Sequence, residues 1–240
     1  MRALVAIPCF NEEHNILHTL DDLRVHAPGI DCLVVDDGSD DATAAVVREA
    51  RMRRVSVVRH PVNLGYGSAI QTASKYALAH DYDIVVFFDG DGQHSGSDVP
   101  LALTTIADGG VDVAVGSRFL GSCGYRIPFS RRTGMTVFRA LLRVLSGPRV
   151  TDPTSGFQAL DRRAMHICAS ESFATAFPDA DMLLLYHRAG LKIAEFPALF
   201  KPRTSGRSMH SFTSSAHYIY KMSISMLVVA LTSHKADRAG

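Results

Sequence analysis

The sequence predicts an α/β fold, a mostly parallel sheet covered by helices on both faces. Three observations carry that prediction. Short β-branched runs alternate with helical patterns over residues 1–117. The polar and acidic residues of this half collect directly after the β-branched runs. No apolar run reaches the roughly 20 residues that a membrane-spanning helix needs.

The β-branched or apolar runs are Ala3 to Ile7, Cys32 to Val35, Val55 to Val58, Ile84 to Phe88 and Val111 to Val115. Helical periodicity falls between them, over about 13–26, 41–53, 67–79 and 98–108. Crossovers in such a repeat are right-handed, so all these strands point the same way. Their C-terminal ends form one rim, which is where open parallel sheets take ligands. Beyond residue 117 the pattern loosens. A basic amphipathic helix is expected over about 130–146, with Met135, Phe138, Leu142 and Leu145 among its apolar positions. Asp152-Pro153-Thr154-Ser155-Gly156-Phe157 reads as a turn, followed by a strand at Gly156 to Leu160 and a helix over about 162–170. A further helix opens at Phe177-Pro178-Asp179-Ala180-Asp181 and runs to Arg188, and Leu191 to Pro197 reads as a strand. The last helix is expected over about 211–232. Three segments follow from this reading: 1–117 as a nucleotide-binding half, 118–210 as the acceptor-side half of the same domain with a basic lid over 201–210, and 211–240 as an amphipathic helix and tail.

A formal net charge of +1 gives no general case for binding nucleic acid. The basic residues are nevertheless uneven, with Arg126, Arg131, Arg132, Arg139, Arg143 and Arg149 in one group and Lys201, Arg203 and Arg207 in another. Four Cys without a CxxC pair suggest neither zinc nor a disulfide framework, and they fit a reducing, cytoplasmic environment. The N-terminus carries no signal-peptide pattern. The run Ile219 to Thr232 contains Lys221 and several Ser, so it is expected to lie on a bilayer surface or to pack on the domain.

The chemistry concentrates in Asp89-Gly90-Asp91-Gly92-Gln93-His94, directly after a buried strand. Two carboxylates there suit a hard divalent cation, completed by substrate phosphates. The alternative is a turn in which the Asp side chains cap backbone amides. Asp36 and Asp37 also end a strand. Asp40 is the better helix cap, with Asp41 in the first turn, which leaves Asp36 for a base imide or ribose. Asn11 is expected to cap the first helix while Glu12 faces the ribose. Gly65 and Gly67 flank Tyr66 and allow close approach to a nucleotide. No Gly-Lys-Ser/Thr phosphate loop follows, and there is no dinucleotide fingerprint after the first strand. The diphosphate is therefore left to a metal and to arginines.

Four motifs in order carry a resemblance: Ile7-Pro8-Cys9-Phe10-Asn11-Glu12, Val35-Asp36-Asp37-Gly38-Ser39-Asp40-Asp41-Ala42-Thr43, Asn63-Leu64-Gly65-Tyr66-Gly67 and Asp89 to His94. Arg118 and Asp152 to Phe157 extend it. The chain resembles family 2 glycosyltransferases of GT-A fold, a Rossmann-like mostly parallel sheet with an acceptor-side extension. Within that family it resembles the polyprenyl-phosphate (dolichyl-phosphate mannose or glucose synthase-like) enzymes. The resemblance implies inverting transfer from a UDP- or GDP-sugar to a polyprenyl phosphate, with Mg²⁺ or Mn²⁺. It implies a nucleoside site at Pro8, Phe10, Glu12, Asp36, Asp37, Gly65 and Gly67. It makes Asp91 the principal metal ligand, helped by Gln93, with Asp89 and Gly90 at the donor ribose or sugar. It sets Arg118, Arg131 and Arg203 near phosphates. A phosphate acceptor needs no strong base, whereas a hydroxyl acceptor on a saccharide or small molecule does, and Asp152 and Asp181 are the candidates. Nucleotidyl transfer is disfavoured because Asn11-Glu12-Glu13 stands where a Gly-rich basic loop is expected. A binding module without turnover is disfavoured by the intact Asp89, Asp91, Gln93 and Arg118.

Overall fold

Seven strands form one sheet in the order β3-β2-β1-β4-β6-β5-β7. The computed structural model describes residues 1–121, 129–145, 147–170, 173, 179–202 and 212–231, without the side chains of 109, 129–134 and 212–217. In chain order the elements are β1 (Ala3–Cys9), α1 (Ile16–His26), β2 (Asp31–Asp36), α2 (Thr43–Ala50), β3 (Val55–Arg59), α3 (Tyr66–Ala79), β4 (Ile84–Phe87), α4 (Val99–Gly109), β5 (Val113–Ser117), α5 (Phe129–Val144), β6 (Gln158–Asp161), α6 (Arg162–Ala169), α7 (Ala180–Arg188), β7 (Ile193–Pro197) and α8 (Phe212–Leu231). β6 alone of these strands runs antiparallel, lying between β4 and β5. The other neighbouring strands pair in parallel.

Central strands buried on both faces read as continuous apolar runs, and their alternate residues enter different cores. Leu4 and Ala6 of β1 join one core with Ile70 of α3, Phe138 of α5, Met165 of α6, Leu183 of α7 and Met222 of α8. Val5 and Ile7 join the other with Leu20 of α1, Val47 of α2 and Val99 of α4. Every residue of β4 and β5 is buried, so their register is tightly specified.

Several boundaries differ from expectation, each for a local reason. The helix expected from residue 13 starts at Ile16, because Asn11 takes φ 57° and bends the chain away first. Asn11 caps no helix. Its amide donates to Ser39 Oγ at 2.9 Å and its Oδ1 accepts from the Asp40 amide at 2.9 Å, tying the first two strand-end loops together. Asp41 rather than Asp40 serves the start of α2, accepting from the Thr43 amide at 2.9 Å. β5 lies two residues later than the Val111 run suggests, because Asp112 accepts from the Lys192 amide and from Arg163 at the strand entrance. Ser117 therefore ends β5 and Arg118 stands directly on the rim. Strands from both sides of residue 117 share the sheet.

α8 packs on α5 and α7. Phe138 meets Tyr218 edge-on at 5.7 Å, and Arg188 Nη1 donates to the Val229 and Ala230 carbonyls near the helix end. Among the described residues, no helix is long and apolar enough to cross a membrane.

Candidate active site

The rim brings together the chain just beyond β1, β2, β4 and β5. At its centre stands Asp89. Tyr66, the first residue of α3, donates its hydroxyl to Asp89 Oδ1 at 3.2 Å. The Asp89 amide donates to His94 Nδ1 at 3.1 Å, which assigns the neutral ring's proton to Nε2, and Nε2 lies 3.3 Å from Asp89 Oδ2. Burial pushes the His94 pKa down to about 4, so the ring is neutral near pH 7. Its stacking on Phe157 at 5.0 Å and edge contacts with Phe88 and Phe200 fix its orientation. Gly156 completes the cradle. A Cβ there would come within 3.0 Å of the Tyr66 hydroxyl and 3.2 Å of Asp89 Oδ1, so a side chain would crowd both. Burial, then the Asp89 charge and then the Asp179 charge, raise the Tyr66 pKa well above its ordinary value and keep the phenol protonated as a donor.

Asp91 lies half-buried two residues on, with its Oδ1 accepting from the Gln93 amide at 3.0 Å. The Gln93 carbonyl accepts from the Lys201 amide at 2.7 Å, and His94 bridges to Phe200. The acidic turn is thus stitched to the chain leaving β7, at the root of the expected basic lid. Among the described residues no group of three or more His, Cys, Asp or Glu is placed to hold a metal ion unaided. Two carboxylates at one strand end fit a hard divalent ion that takes its remaining ligands from substrate phosphates and water.

Arg118 and Asp152 occupy the same rim as one unit. Arg118 Nε donates to Asp152 Oδ2 at 2.6 Å and Nη2 to Oδ1 at 2.7 Å, a two-pronged pair with both side chains buried. Nη2 also reaches the Thr154 carbonyl at 3.1 Å and its hydroxyl at 3.0 Å. The Asp152 amide donates to Glu195 Oε1 at 2.9 Å. A carboxylate gripped this way orders the turn before Gly156 and is poorly placed to act as a base.

At the other end of the rim, Pro8 lies within β1, Phe10 is half-buried and Glu12 is buried, with its Oε2 accepting from Asn15 at 2.7 Å. Asp37 holds the loop before α3, accepting from the Leu64 amide at 2.9 Å and the Gly65 amide at 2.8 Å, and meeting His60 at 2.7 Å. Gly65 has φ 95°, a conformation that favours glycine, and Gly67 is buried in the first turn of α3. Gly90 packs against Cys9. Asp36 Oδ1 accepts from Ser39, while the buried Oδ2, 3.3 Å from Arg59 Nε, has no hydrogen bond among the described residues.

Asp181 opens α7 and is buried. Its Oδ1 accepts from the Asp179 amide at 3.0 Å and the Met182 amide at 2.9 Å, and its Oδ2 from Ser225 of α8. Burial raises its pKa to about 6, against the lowering effect of these bonds. Asp179, whose carboxylate accepts from Tyr218, adds its charge to those of Asp89 and Asp91 in raising the Tyr66 pKa. A carboxyl with a raised folded pKa favours the folded state most below its unfolded value of about 4, and that contribution is lost as pH rises through about 6. The stability of Asp181→Asn relative to the wild type should therefore increase by about 2–3 kcal/mol between pH 4 and pH 7.5 in urea titrations. A pH-independent difference would show that burial does not control this group.

Arg131 lies in α5 but its side chain is outside the described residues, as is Arg203 altogether. Arg139, one helical face further on, stacks its guanidinium 4.4 Å from the Phe119 ring. Among the described residues its buried Nε and Nη2 have no hydrogen-bond partner. Orphaned donors of this kind suit an anionic oxygen. The sequence reading missed Tyr66, His94, Asp179 and Arg139 as site residues. The signal for Tyr66 lies in its motif, between the two flanking glycines, and Asp179 stands two residues before Asp181 in the same acidic run.

The family model of glycosyl transferase family 2 matches residues 4–167. An undecaprenyl-phosphate mannosyltransferase of Micrococcus luteus is 33% identical over 217 residues, 88% of this chain and 88% of that protein. A polyprenol monophosphomannose synthase of Mycolicibacterium smegmatis is 28% identical over 228 residues, 92% of this chain and 85% of that protein. Among solved structures, the glucosyl-3-phosphoglycerate synthase of Mycobacterium tuberculosis, in complex with Mn²⁺, uridine diphosphate and phosphoglyceric acid, superposes with a TM-score of 0.73 at 22% identity. That match covers 98% of this chain and 80% of the synthase. The shared architecture is the GT-A fold.

Proposed function

The chain belongs to glycosyl transferase family 2, and from that premise we propose that it moves a sugar, with inversion, from a UDP- or GDP-sugar to a polyprenyl phosphate. The observation that carries the reading is the acidic turn at the end of β4, with Asp89 held by Tyr66 and His94 and Asp91 beside it on the rim. The names of the relatives from Micrococcus luteus and Mycolicibacterium smegmatis support the acceptor class.

In this reading the Pro8–Glu12 loop and Asp36 receive the nucleoside. Asp89, oriented by its two neighbours, accepts hydrogen bonds from donor hydroxyls. Asp91, with Asp89 and Gln93 close by, would hold Mg²⁺ or Mn²⁺, which when bound supplies positive charge against the departing diphosphate. Arg139, with Arg131 and Arg203, offers guanidinium groups to phosphate oxygens. The acceptor's phosphate oxygen attacks the anomeric carbon from the face opposite the leaving group. The carbon–oxygen bond to the nucleoside diphosphate breaks, and the electron pair leaves with the diphosphate. A phosphate monoester is already anionic near neutral pH, so no protein base has to remove a proton.

A second reading, transfer to a saccharide or small-molecule hydroxyl, is favoured by one feature, the Asp179 carboxylate, whose charge adds to that of Asp89 in raising the Tyr66 pKa. That carboxylate would then be the base. A donor screen separates the two. UDP- and GDP-sugars are offered with Mn²⁺ or Mg²⁺, each with a short-chain polyprenyl phosphate, with the corresponding free polyprenol, and with simple saccharides. Product only with the phosphate is expected. Product with hydroxyl acceptors alone would overturn the lipid-phosphate reading.

A further inference from the structure

Between the end of β2 and the helix α3 lies His60, a buried ring that takes no part in the transfer itself. Its backbone amide donates to the Asp36 carbonyl at 2.9 Å, which seats it against β2. Nδ1 lies 2.7 Å from Asp37 Oδ1, and Nε2 lies 2.9 Å from Thr72 Oγ1. A carboxylate only accepts, so Nδ1 carries the proton, and in the neutral ring Nε2 accepts from the Thr72 hydroxyl. The ring therefore braces the end of β2 against the second turn of α3.

Asp37 carries that hold to the start of α3. Its Oδ1 also accepts from the Leu64 amide at 2.9 Å, and its Oδ2 from the Gly65 amide at 2.8 Å. Gly65 is the N-cap of α3, and its carbonyl accepts from the Ser68 and Ala69 amides at 2.9 and 3.3 Å. The loop has little room on this side. A Cβ at Gly38 would lie 2.4 Å from the Val62 carbonyl carbon, so the loops beyond β2 and β3 touch at their backbones. Both Asp37 oxygens are taken up by charge-assisted bonds, and the residue is 4% exposed, which leaves it poorly placed to serve a nucleoside. The residue after Gly65 is Tyr66, whose hydroxyl donates to Asp89. We propose that His60 is a positioning residue: it orients Asp37, which fixes the Leu64 and Gly65 amides and so holds Tyr66 on Asp89. The consequence for Asp89 rests on the glycosyl-transfer reading proposed above. A carboxylate released from Tyr66 is free to swing away from the donor hydroxyls, and a displacement of about 1 Å costs on the order of 100-fold in rate.

Two substitutions separate the two ring nitrogens. His60→Asn keeps an amide N–H where Nδ1 stands, so it retains Asp37 and gives up Thr72. His60→Gln keeps an amide where Nε2 stands, so it retains Thr72 and gives up Asp37. Each loses one of the two bonds of the ring, and their melting temperatures should fall alike. In the whole chain, kcat should stay within about two-fold for His60→Asn and fall about 10–100-fold for His60→Gln. The Kd for UDP or GDP should be unchanged in both. Tyr66 is followed by NMR of Cζ-labelled tyrosine, its resonance assigned with Tyr66→Phe. In the wild type and His60→Asn the phenol should stay protonated well above the ordinary tyrosine range, and in His60→Gln it should ionise at least about one pH unit lower. If His60→Gln does not fold, Asp37→Asn takes its place, because it turns an amide N–H toward an N–H that the carboxylate now accepts from, and the same losses are expected. Equal kcat in His60→Asn and His60→Gln overturns the proposal, since His60 is then a structural brace alone. Weaker UDP or GDP binding in His60→Gln with a wild-type Tyr66 titration also overturns it, since Asp37 then serves the nucleoside. Absence of transfer to every acceptor would sink the glycosyl-transfer reading, while the Tyr66 titration, which needs no donor or acceptor, would still decide the role of His60.

Discussion

Replacing Asp152 with Ala should cost about 3–5 kcal/mol of stability, because it leaves the Arg118 guanidinium buried without its carboxylate. Both side chains are at most 4% exposed, so solvent cannot take over the lost partner. The same arginine also fixes Thr154, two residues before the glycine that makes room for the Asp89 carboxylate. The variant should therefore lose midpoint in urea and, at temperatures where it remains folded, lose transfer as well. Arg118→Met combined with Asp152→Leu should recover a large part of the stability, since neither charge then remains unpaired. A single variant costing less than about 1 kcal/mol would mean that the pair is solvated in solution. The experiment also separates structure from chemistry. A catalytic base would lose turnover with stability unchanged, whereas the grip of Arg118 on Asp152 predicts that both fall together.

That pair shows how far a sequence can be read. The alternation of β-branched runs with helical periodicity is local, and it carried the sheet, its parallel sense and the rim of acidic residues. Arg118 and Asp152 are 34 residues apart, and each in isolation looks like a ligand for substrate. Their mutual neutralisation depends on β6 inserting antiparallel between β4 and β5, a long-range pairing that a four-residue strand does not announce. Asp36 and Asp37 divide in the same way. Adjacent and chemically identical, they differ because the loop before α3 folds back onto Asp37 and uses both of its oxygens. Tyr66 and His94 are silent in a periodicity count. Their roles arise when α3, the acidic turn and Phe157 converge on Asp89. Asp179 and Asp181 look alike at a helix start, and only the packing of α8 tells them apart, with Tyr218 bonding Asp179 and Ser225 bonding the buried Asp181.

Asp91→Asn should reduce transfer on the order of 10²–10³-fold while leaving the fold intact. The asparagine side chain keeps an Oδ1 able to accept from the Gln93 amide, so the turn retains the bond seen at 3.0 Å. What it removes is the negative charge, which a hard cation prefers over a neutral amide oxygen. The structural cost should stay within about 1 kcal/mol, because Asp91 is only half-buried and the substitution is isosteric. Binding of Mn²⁺ in the presence of nucleoside diphosphate, followed by calorimetry or electron paramagnetic resonance, should weaken in parallel with turnover. Asp89→Asn should behave differently. It disturbs the bonds to Tyr66 and the approach of His94 Nε2, so it should lower stability as well as activity. Equal metal affinity and full transfer in Asp91→Asn would remove Asp91 from the metal site. The charge at the departing diphosphate would then have to be met by arginines alone, and because Arg118 is tied to Asp152, the demand would fall on Arg131, Arg139 and Arg203.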